Sequence, residues 1–226
     1  MNVDRYLERI GYEGSREPTL ETLTGLHRAH MLAVPFENLD IALGRPLVLD
    51  AEQNYVKIVE RRRGGWCYEL NGLFAWLLEQ LGFRLTLLGS RVTGHTTSVD
   101  LAHLLLLVDL DQPYIADVGF GDNSSLVPFP LAQVADGTIP CGHQSIVFTL
   151  TPRSMPEFAE MCTFQQTSPE SGFVRVRKCT MALPNGRVTL REMTLSEEHD
   201  GERRERELAN DDEWHAVLAE RFGIVL

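Results

Sequence analysis

Cys67, His103 and Asp117 are the residues whose types and spacing could carry covalent chemistry. A cysteine reacts as its thiolate, and an ordinary thiol has a pKa of about 8.5. Cys67 follows Gly64 and Gly65 and precedes an apolar stripe at helical spacing, which places it at the start of a helix. A helix N-terminus favours negative charge, the amides beyond Cys67 could serve an oxyanion, and the two glycines would let the backbone approach a substrate closely. His103 opens the apolar run Leu104–Val108, and Asp117 closes Tyr114-Ile115-Ala116. Each also has a plain structural reading: a buried thiol, a histidine on a strand rim, a turn-capping carboxylate. The pair is more telling. Asp111-Gln112-Pro113 reads as the tight link of a hairpin, and the midpoint of positions 103 and 117 falls at residue 110, so the two would face each other directly. Aspartate could then orient histidine, and histidine activate cysteine. A Cys67–His103 ion pair predicts alkylation of Cys67 that stays fast well below about pH 8.5.

The elements that must position these groups follow from periodicity. Helices are predicted over residues 3–13, 19–31, 54–61 and 68–81, with Gly82 as a C-cap, and over 211–222 behind an Asn210 cap. Pro35 breaks the chain ahead of Phe36-Glu37-Asn38-Leu39. Strands are predicted over 84–92, 103–110, 113–118 and 145–150, and a hairpin over 174–183 and 187–195 turns at Pro184-Asn185-Gly186. The mixed charges of Glu202–Glu207 read as a solvated segment. Helices first and strands later indicate an α+β architecture rather than a doubly wound one.

Composition narrows the function classes. A net charge of −11 over 226 residues argues against nucleic acid and anionic membrane surfaces as partners, though not against a phosphate-bearing small ligand. No apolar run approaches the roughly 20 residues of a membrane span, and the first residues lack the basic-then-apolar order of a signal peptide. The four cysteines form no Cys-x-x-Cys pair, which disfavours zinc and disulfides and fits a reducing, cytoplasmic location. No metal site is expected: His27 and His30 are three apart on a helix but lack a third ligand, and read as surface or packing residues.

Several segments together resemble the arylamine N-acetyltransferases. Arg63-Gly64-Gly65-Trp66-Cys67-Tyr68-Glu69-Leu70-Asn71-Gly72 looks like their arginine-glycine-glycine-aromatic-cysteine signature, and Val34-Pro35-Phe36-Glu37-Asn38-Leu39-Asp40 resembles their N-terminal signature. Ala102–Val108 and Ala116–Gly121 are similar to the histidine and aspartate segments, and Thr167–Ser171 and Phe222-Gly223-Ile224 fit as well. The resemblance spans nearly the whole chain in order.

The resemblance implies an α+β fold: a helical bundle over 1–85 carrying the nucleophile, a β-barrel over 86–165 carrying histidine and aspartate, and an α/β lid over 166–226, with a Cys-His-Asp core like that of papain-like proteases and transglutaminases. It implies ping-pong acetyl transfer from acetyl-CoA to an aromatic amine through acetyl-Cys67, with His103 moving protons and Asp117 holding its tautomer. Phe36, Val92 and Phe120 resemble amine-pocket positions, and flat apolar walls suit an aromatic amine. Phe164, Thr167 and Ser168 correspond to a segment near the coenzyme. Glu170 and Val99-Asp100 stand where smaller residues occur in relatives, and Asp100 would add negative charge near phosphates. An ion pair between Arg63 and Glu37 is expected near the site.

The chain is shorter than the family usually runs, and the shortfall falls between His143 and Gln144. Loss of paired strands would expose sheet edges, so a stretch left out of the sequence there is favoured over a truncated barrel. Two other function classes stay open: a cysteine hydrolase or transglutaminase-like enzyme (or an amide synthase) built on the same three residues, and a ligand carrier with a silent triad.

Overall fold

A computed structural model of the chain describes residues 1–93, 99–122, 124–142 and 144–226. Helices α1 (Val3–Ile10) and α2 (Leu20–Ala33) come first, followed by the short strand β1 (Phe36–Glu37) and helices α3 (Leu39–Ala42) and α4 (Ala51–Tyr55). Asn2 and Thr19 cap α1 and α2 through their side chains, as their positions dictate. The helix expected over 54–61 is instead α4 continued by a π-helical turn, Val56–Glu60, which leads through Arg62 at φ 52° to the cysteine segment. Helix α5 (Cys67–Gln80) begins at the cysteine, as the apolar stripe required.

Strands β2 (Arg84–Val92), β3 (His103–Asp109), β4 (Pro113–Ala116), β5 (Phe129–Pro130), β6 (Thr138–Cys141) and β7 (Gln144–Arg153) form one antiparallel sheet in the order β5-β4-β3-β2-β7-β6. The order ends in two different edge strands, so the expected barrel is an open, curled half-barrel. Strand β3 is an unbroken apolar run because both its faces are covered: Leu104, Leu106 and Val108 join the helical core, and Leu105 packs with Ile139, Ile146 and Phe148. Helix α5 buries Leu70, Leu73, Phe74, Leu77 and Leu78 in the same helical core as β3, and that packing fixes its N-terminus relative to His103.

Helices α6 (Ala159–Thr167) and α7 (Gly172–Arg175) lead into a second sheet of β8 (Lys178–Leu183), β9 (Gly186–Arg191), β10 (Thr194–His199) and β11 (Glu202–Glu207), closed by helix α8 (Asp211–Phe222) behind the Asn210 cap. Its order is β1-β8-β9-β10-β11, so Phe36 and Glu37 pair with the C-terminal sheet, opposite Thr180 and Cys179. The hairpin expected to run to residue 195 ends at Arg191, and a separate strand follows. The charged segment Glu202–Glu207 is also a strand, exposed at every residue along the sheet edge, where charge discourages edge-to-edge pairing.

The join at His143 lies outside the described residues. On either side of it β6 and β7 pair, with Cys141 opposite Gln144. Among the described residues no helix is long and apolar enough to cross a membrane, and no group of His, Cys, Asp and Glu could hold a metal ion.

Candidate active site

The start of α5, the start of β3 and the residue just past β4 converge on one buried cluster. His103 Nε2 lies 2.7 Å from Asp117 Oδ2. The Cys67 side chain lies close enough to the same imidazole to help raise its pKa. Cys67 and His103 are each 3% exposed.

The hairpin arithmetic finds this pair through a register that the fold does not use. Asp109 pairs with Pro113 and Leu106 with Ala116, so the link holds three residues, not a turn centred on residue 110. The ladder would set His103 opposite residue 119, making Asp117 a diagonal neighbour rather than a direct one. Such neighbours are about 7–8 Å apart at the backbone, within reach of long side chains, and the imidazole spans the gap. Directly across the sheet from His103 is Ser90 of β2.

Asp117 is held from several sides. Asn71 Nδ2 donates to its Oδ1 (2.8 Å), as does the Gly119 amide (2.9 Å), and its own amide donates to His27 Nε2 (3.3 Å). Asn71 also donates to Leu104 O (2.7 Å) and accepts from the Val118 amide (2.8 Å), tying both strands to α5. Sequence reasoning missed its role. The available signal was a polar residue four positions after Cys67 within an apolar helix, on the face that Cys67 occupies. His27 is buried, and burial pushes its pKa down to about 4, which leaves a neutral ring able to accept that bond.

Burial works against a charged His103, but the Asp117 carboxylate and the Cys67 side chain outweigh it and raise its pKa to about 10. Burial likewise opposes ionisation of Asp117, and the charge of His103 with the hydrogen bonds from Asn71 and Gly119 holds its carboxyl below the usual range. The arrangement therefore favours an imidazolium beside the thiol at neutral pH.

Cys67, Tyr68 and Glu69 precede the first helical hydrogen bond of α5, from the Leu70 amide to Trp66 O (2.9 Å), so their amides lie at the positive end of the helix. Gly64 does not make room for a substrate, as the sequence had suggested. A Cβ there would fall 2.1 Å from Pro35 O, so its close approach is to the chain's own backbone. Gly119 has the more direct bearing on the site: a Cβ would fall 2.9 Å from Cys67 Cα and from Asn71 Nδ2. Gly119→Ala is expected to cost about 1–3 kcal/mol of stability through overpacking and to slow any reaction at Cys67. Denaturant unfolding and single-turnover kinetics on the one variant check both.

The expected Arg63–Glu37 pair is present within a larger network. Arg63 Nη2 lies 2.7 Å from Glu37 Oε1 and 3.0 Å from Asp40 Oδ1. Lys57 Nζ lies 2.9 Å from both Asp40 Oδ2 and Glu69 Oε2. Glu69 Oε2 in turn accepts the Trp66 amide (3.1 Å) at the mouth of α5, so the network braces the turn that presents Cys67. Burial, aided by the charge of Glu37 and opposed by Lys57, raises Glu69 to about 7. A cavity of about 290 Å³ opens on this network, lined by Arg45, Lys57, Arg63 and Glu69 among others, and Cys67 does not line it.

Of the expected pocket residues, Phe120 stands edge-on to the His103 ring at 5.4 Å. Phe36 is buried, with the Phe173 ring 6.3 Å away and Lys178 Nζ 5.9 Å from its centroid. Val92 ends β2 opposite Ile146, two residues past Ser90, and is half-buried. Phe164 and Thr167 close α6 and Ser168 caps it, and none of the three is hydrogen-bonded to Cys67, His103 or Asp117 among the described residues. Thr167 donates to Thr163 O (2.7 Å), and Ser168 Oγ accepts the Glu170 amide (3.2 Å), so both hydroxyls keep acceptor capacity for a ligand at this helix end.

Comparison with known proteins places the chain in a family. The sequence pattern described as N-acetyltransferase matches residues 19–143 and 141–226. The two pieces meet at the point where the chain reads as short. An arylamine N-acetyltransferase of Gallus gallus, the pineal gland isozyme NAT-3, is 35% identical over 275 aligned positions, covering 100% of this chain and 95% of that protein. Arylamine N-acetyltransferase 2 of Homo sapiens is 34% identical over 230 positions, 82% of this chain and 79% of that protein. The solved structure of the Mycobacterium marinum arylamine N-acetyltransferase in complex with CoA has a TM-score of 0.89 at 30% identity, covering 99% of this chain and 93% of that one. With the family's pattern matched along most of its length, this chain belongs to the arylamine N-acetyltransferases.

Proposed function

We propose that the protein is an acetyl-CoA-dependent acyltransferase that acetylates aromatic amines or related hydrazines by a ping-pong route through acetyl-Cys67. The observation that carries the reading is His103 set between the Asp117 carboxylate at 2.7 Å and the Cys67 thiol at the head of α5. With Nε2 engaged by Asp117, Nδ1 is the ring nitrogen left to exchange a proton with Cys67 and its substrates. The Cys67 thiolate attacks the acetyl carbonyl, the bond to the CoA sulfur breaks, and the imidazolium gives that sulfur its proton. The amine then attacks acetyl-Cys67, neutral His103 takes the amine proton, and the thiolate–imidazolium pair is restored. First-turn amides of α5 face the developing oxyanion. Asp117 holds the ring orientation and offsets its charge.

Phe36, Phe120 and Val92 form the walls offered to a flat amine, and the α6 end with Phe164, Thr167 and Ser168 is the surface offered to the coenzyme. Four unpaired thiols suit a reducing compartment such as the cytoplasm. The test is intact mass after mixing the protein with acetyl-CoA alone. One acetyl group on the wild type, absent from Cys67→Ala and discharged by aniline, is expected. An unmodified wild-type protein would move the reading to a hydrolase or a silent triad.

A further inference from the structure

We infer that Gln165 of α6 is a positioning residue for His103, acting through the backbone that carries it. Four consecutive carbonyls there each accept a side-chain hydrogen bond. Tyr68 Oη donates to Leu101 O (2.7 Å), Gln165 Nε2 to Ala102 O (2.8 Å), Ser90 Oγ to His103 O (3.1 Å) and Asn71 Nδ2 to Leu104 O (2.7 Å). Two donors lie on α5, one on β2 and one on α6, so three elements index the start of β3 to the helix that begins at Cys67.

The segment needs such fixing. Leu101 has φ 68°, a left-handed conformation unfavourable for a residue with a side chain, and it persists only where the surroundings over-determine it. Tyr68 and Gln165 grip the carbonyls of Leu101 and of the residue after it. Gln165 is buried, its Nε2 is given to Ala102, and its Oε1 has no partner among the described residues. Burying an unpaired amide oxygen costs stability; an apolar side chain of similar length would avoid that cost but would leave Ala102 O without its donor. The position thus leaves one buried oxygen unpaired while holding Ala102. Ser171 Oγ, donating to Gln165 O at 2.6 Å, fixes the helix end from which this grip is made.

The inference rests on the reading of His103 as the acid–base group, and the experiment separates the two. Gln165→Met, Tyr68→Phe and His103→Asn are compared with the wild type by three measurements: single-turnover acetylation with acetyl-CoA, the pH dependence of Cys67 alkylation by iodoacetamide, and thermal unfolding. For Gln165→Met we expect a folded protein whose unfolding temperature changes little, since relief of the unpaired Oε1 and loss of the bond to Ala102 O oppose one another. Acetylation should slow by roughly 10- to 100-fold, the scale of a misplacement of about 1 Å, and the alkylation profile should move towards that of an ordinary thiol. Tyr68→Phe should change acetylation and alkylation in the same direction, and it decides the matter should Gln165→Met fail to fold. Wild-type acetylation and alkylation in folded Gln165→Met, with His103→Asn inactive, would overturn the positioning role alone. Undiminished acetylation in His103→Asn would overturn the underlying mechanism.

Discussion

Asp117→Asn is expected to lower the rate of acetyl transfer by roughly 10⁴-fold while leaving a folded protein, the scale seen when a triad carboxylate becomes an amide and the histidine adopts the wrong tautomer. The amide keeps an acceptor for Asn71 and Gly119, so the loop geometry survives, but it removes the charge that holds His103 protonated. The same variant tests the electrostatics through stability. His103 is raised from an ordinary 6.5 to about 10 in the folded protein, so the folded state binds the extra proton across that interval. Its contribution to stability is whole below about pH 6.5 and is lost as the pH rises towards 10. Urea midpoints across this window should fall in the wild type and flatten in Asp117→Asn. A wild-type midpoint that held level from pH 6.5 to 10 would refute the imidazolium.

Arg63→Met should produce the largest loss of stability of any single change considered, about 3–5 kcal/mol, because it leaves Glu37 buried without its strongest partner. Glu37 is fully buried, and Lys57, at 3.8 Å from its Oε1, is already shared with Asp40 and Glu69. Glu69 has the opposite pH sense to His103's partner. Its carboxyl is raised from 4.5 to about 7, so the folded form holds a proton the unfolded chain has released, and this group's contribution falls as the pH rises through that interval. Chemical denaturation of Arg63→Met at neutral pH is the measurement. A loss below about 1 kcal/mol, the range of surface ion pairs, would show that the network is not a brace for the Cys67 turn.

The helix that starts at Cys67 was legible because Leu70, Leu73, Phe74, Leu77 and Leu78 repeat at helical spacing and all are buried. Strand β3 was legible as an unbroken apolar run, and its burial on both faces explains why it lacks alternation. The meeting of His103 and Asp117 was also foreseen, but a one-residue shift of the turn's centre, from 110 to 111, changes direct pairing into diagonal pairing, and the exact turn position is poorly written in Asp111-Gln112-Pro113. The network roles of Lys57 and Asp40 escaped notice for a different reason. Their partners are distant in sequence, and nothing local distinguishes a polar residue bound for a buried network from one bound for solvent. Strand β11 was missed because it buries no residue, which removes the period-two signal altogether, and β10 was read no further than residue 195 because Leu195 is its only buried residue.

The depth of Cys67, only 3% exposed, bears on which amines could be used, through basicity rather than shape. An acceptor must arrive as the free base, and a charged ammonium would have to shed both its water and its proton to enter so dry a site. Alkylamines resembling the lysine side chain, with a pKa of about 10.4, are almost wholly cationic at neutral pH, whereas anilines are neutral there. On the proposed route the same seclusion would limit the access of bulk water to acetyl-Cys67, so an enzyme charged in the absence of amine is expected to lose its acetyl group to hydrolysis only slowly.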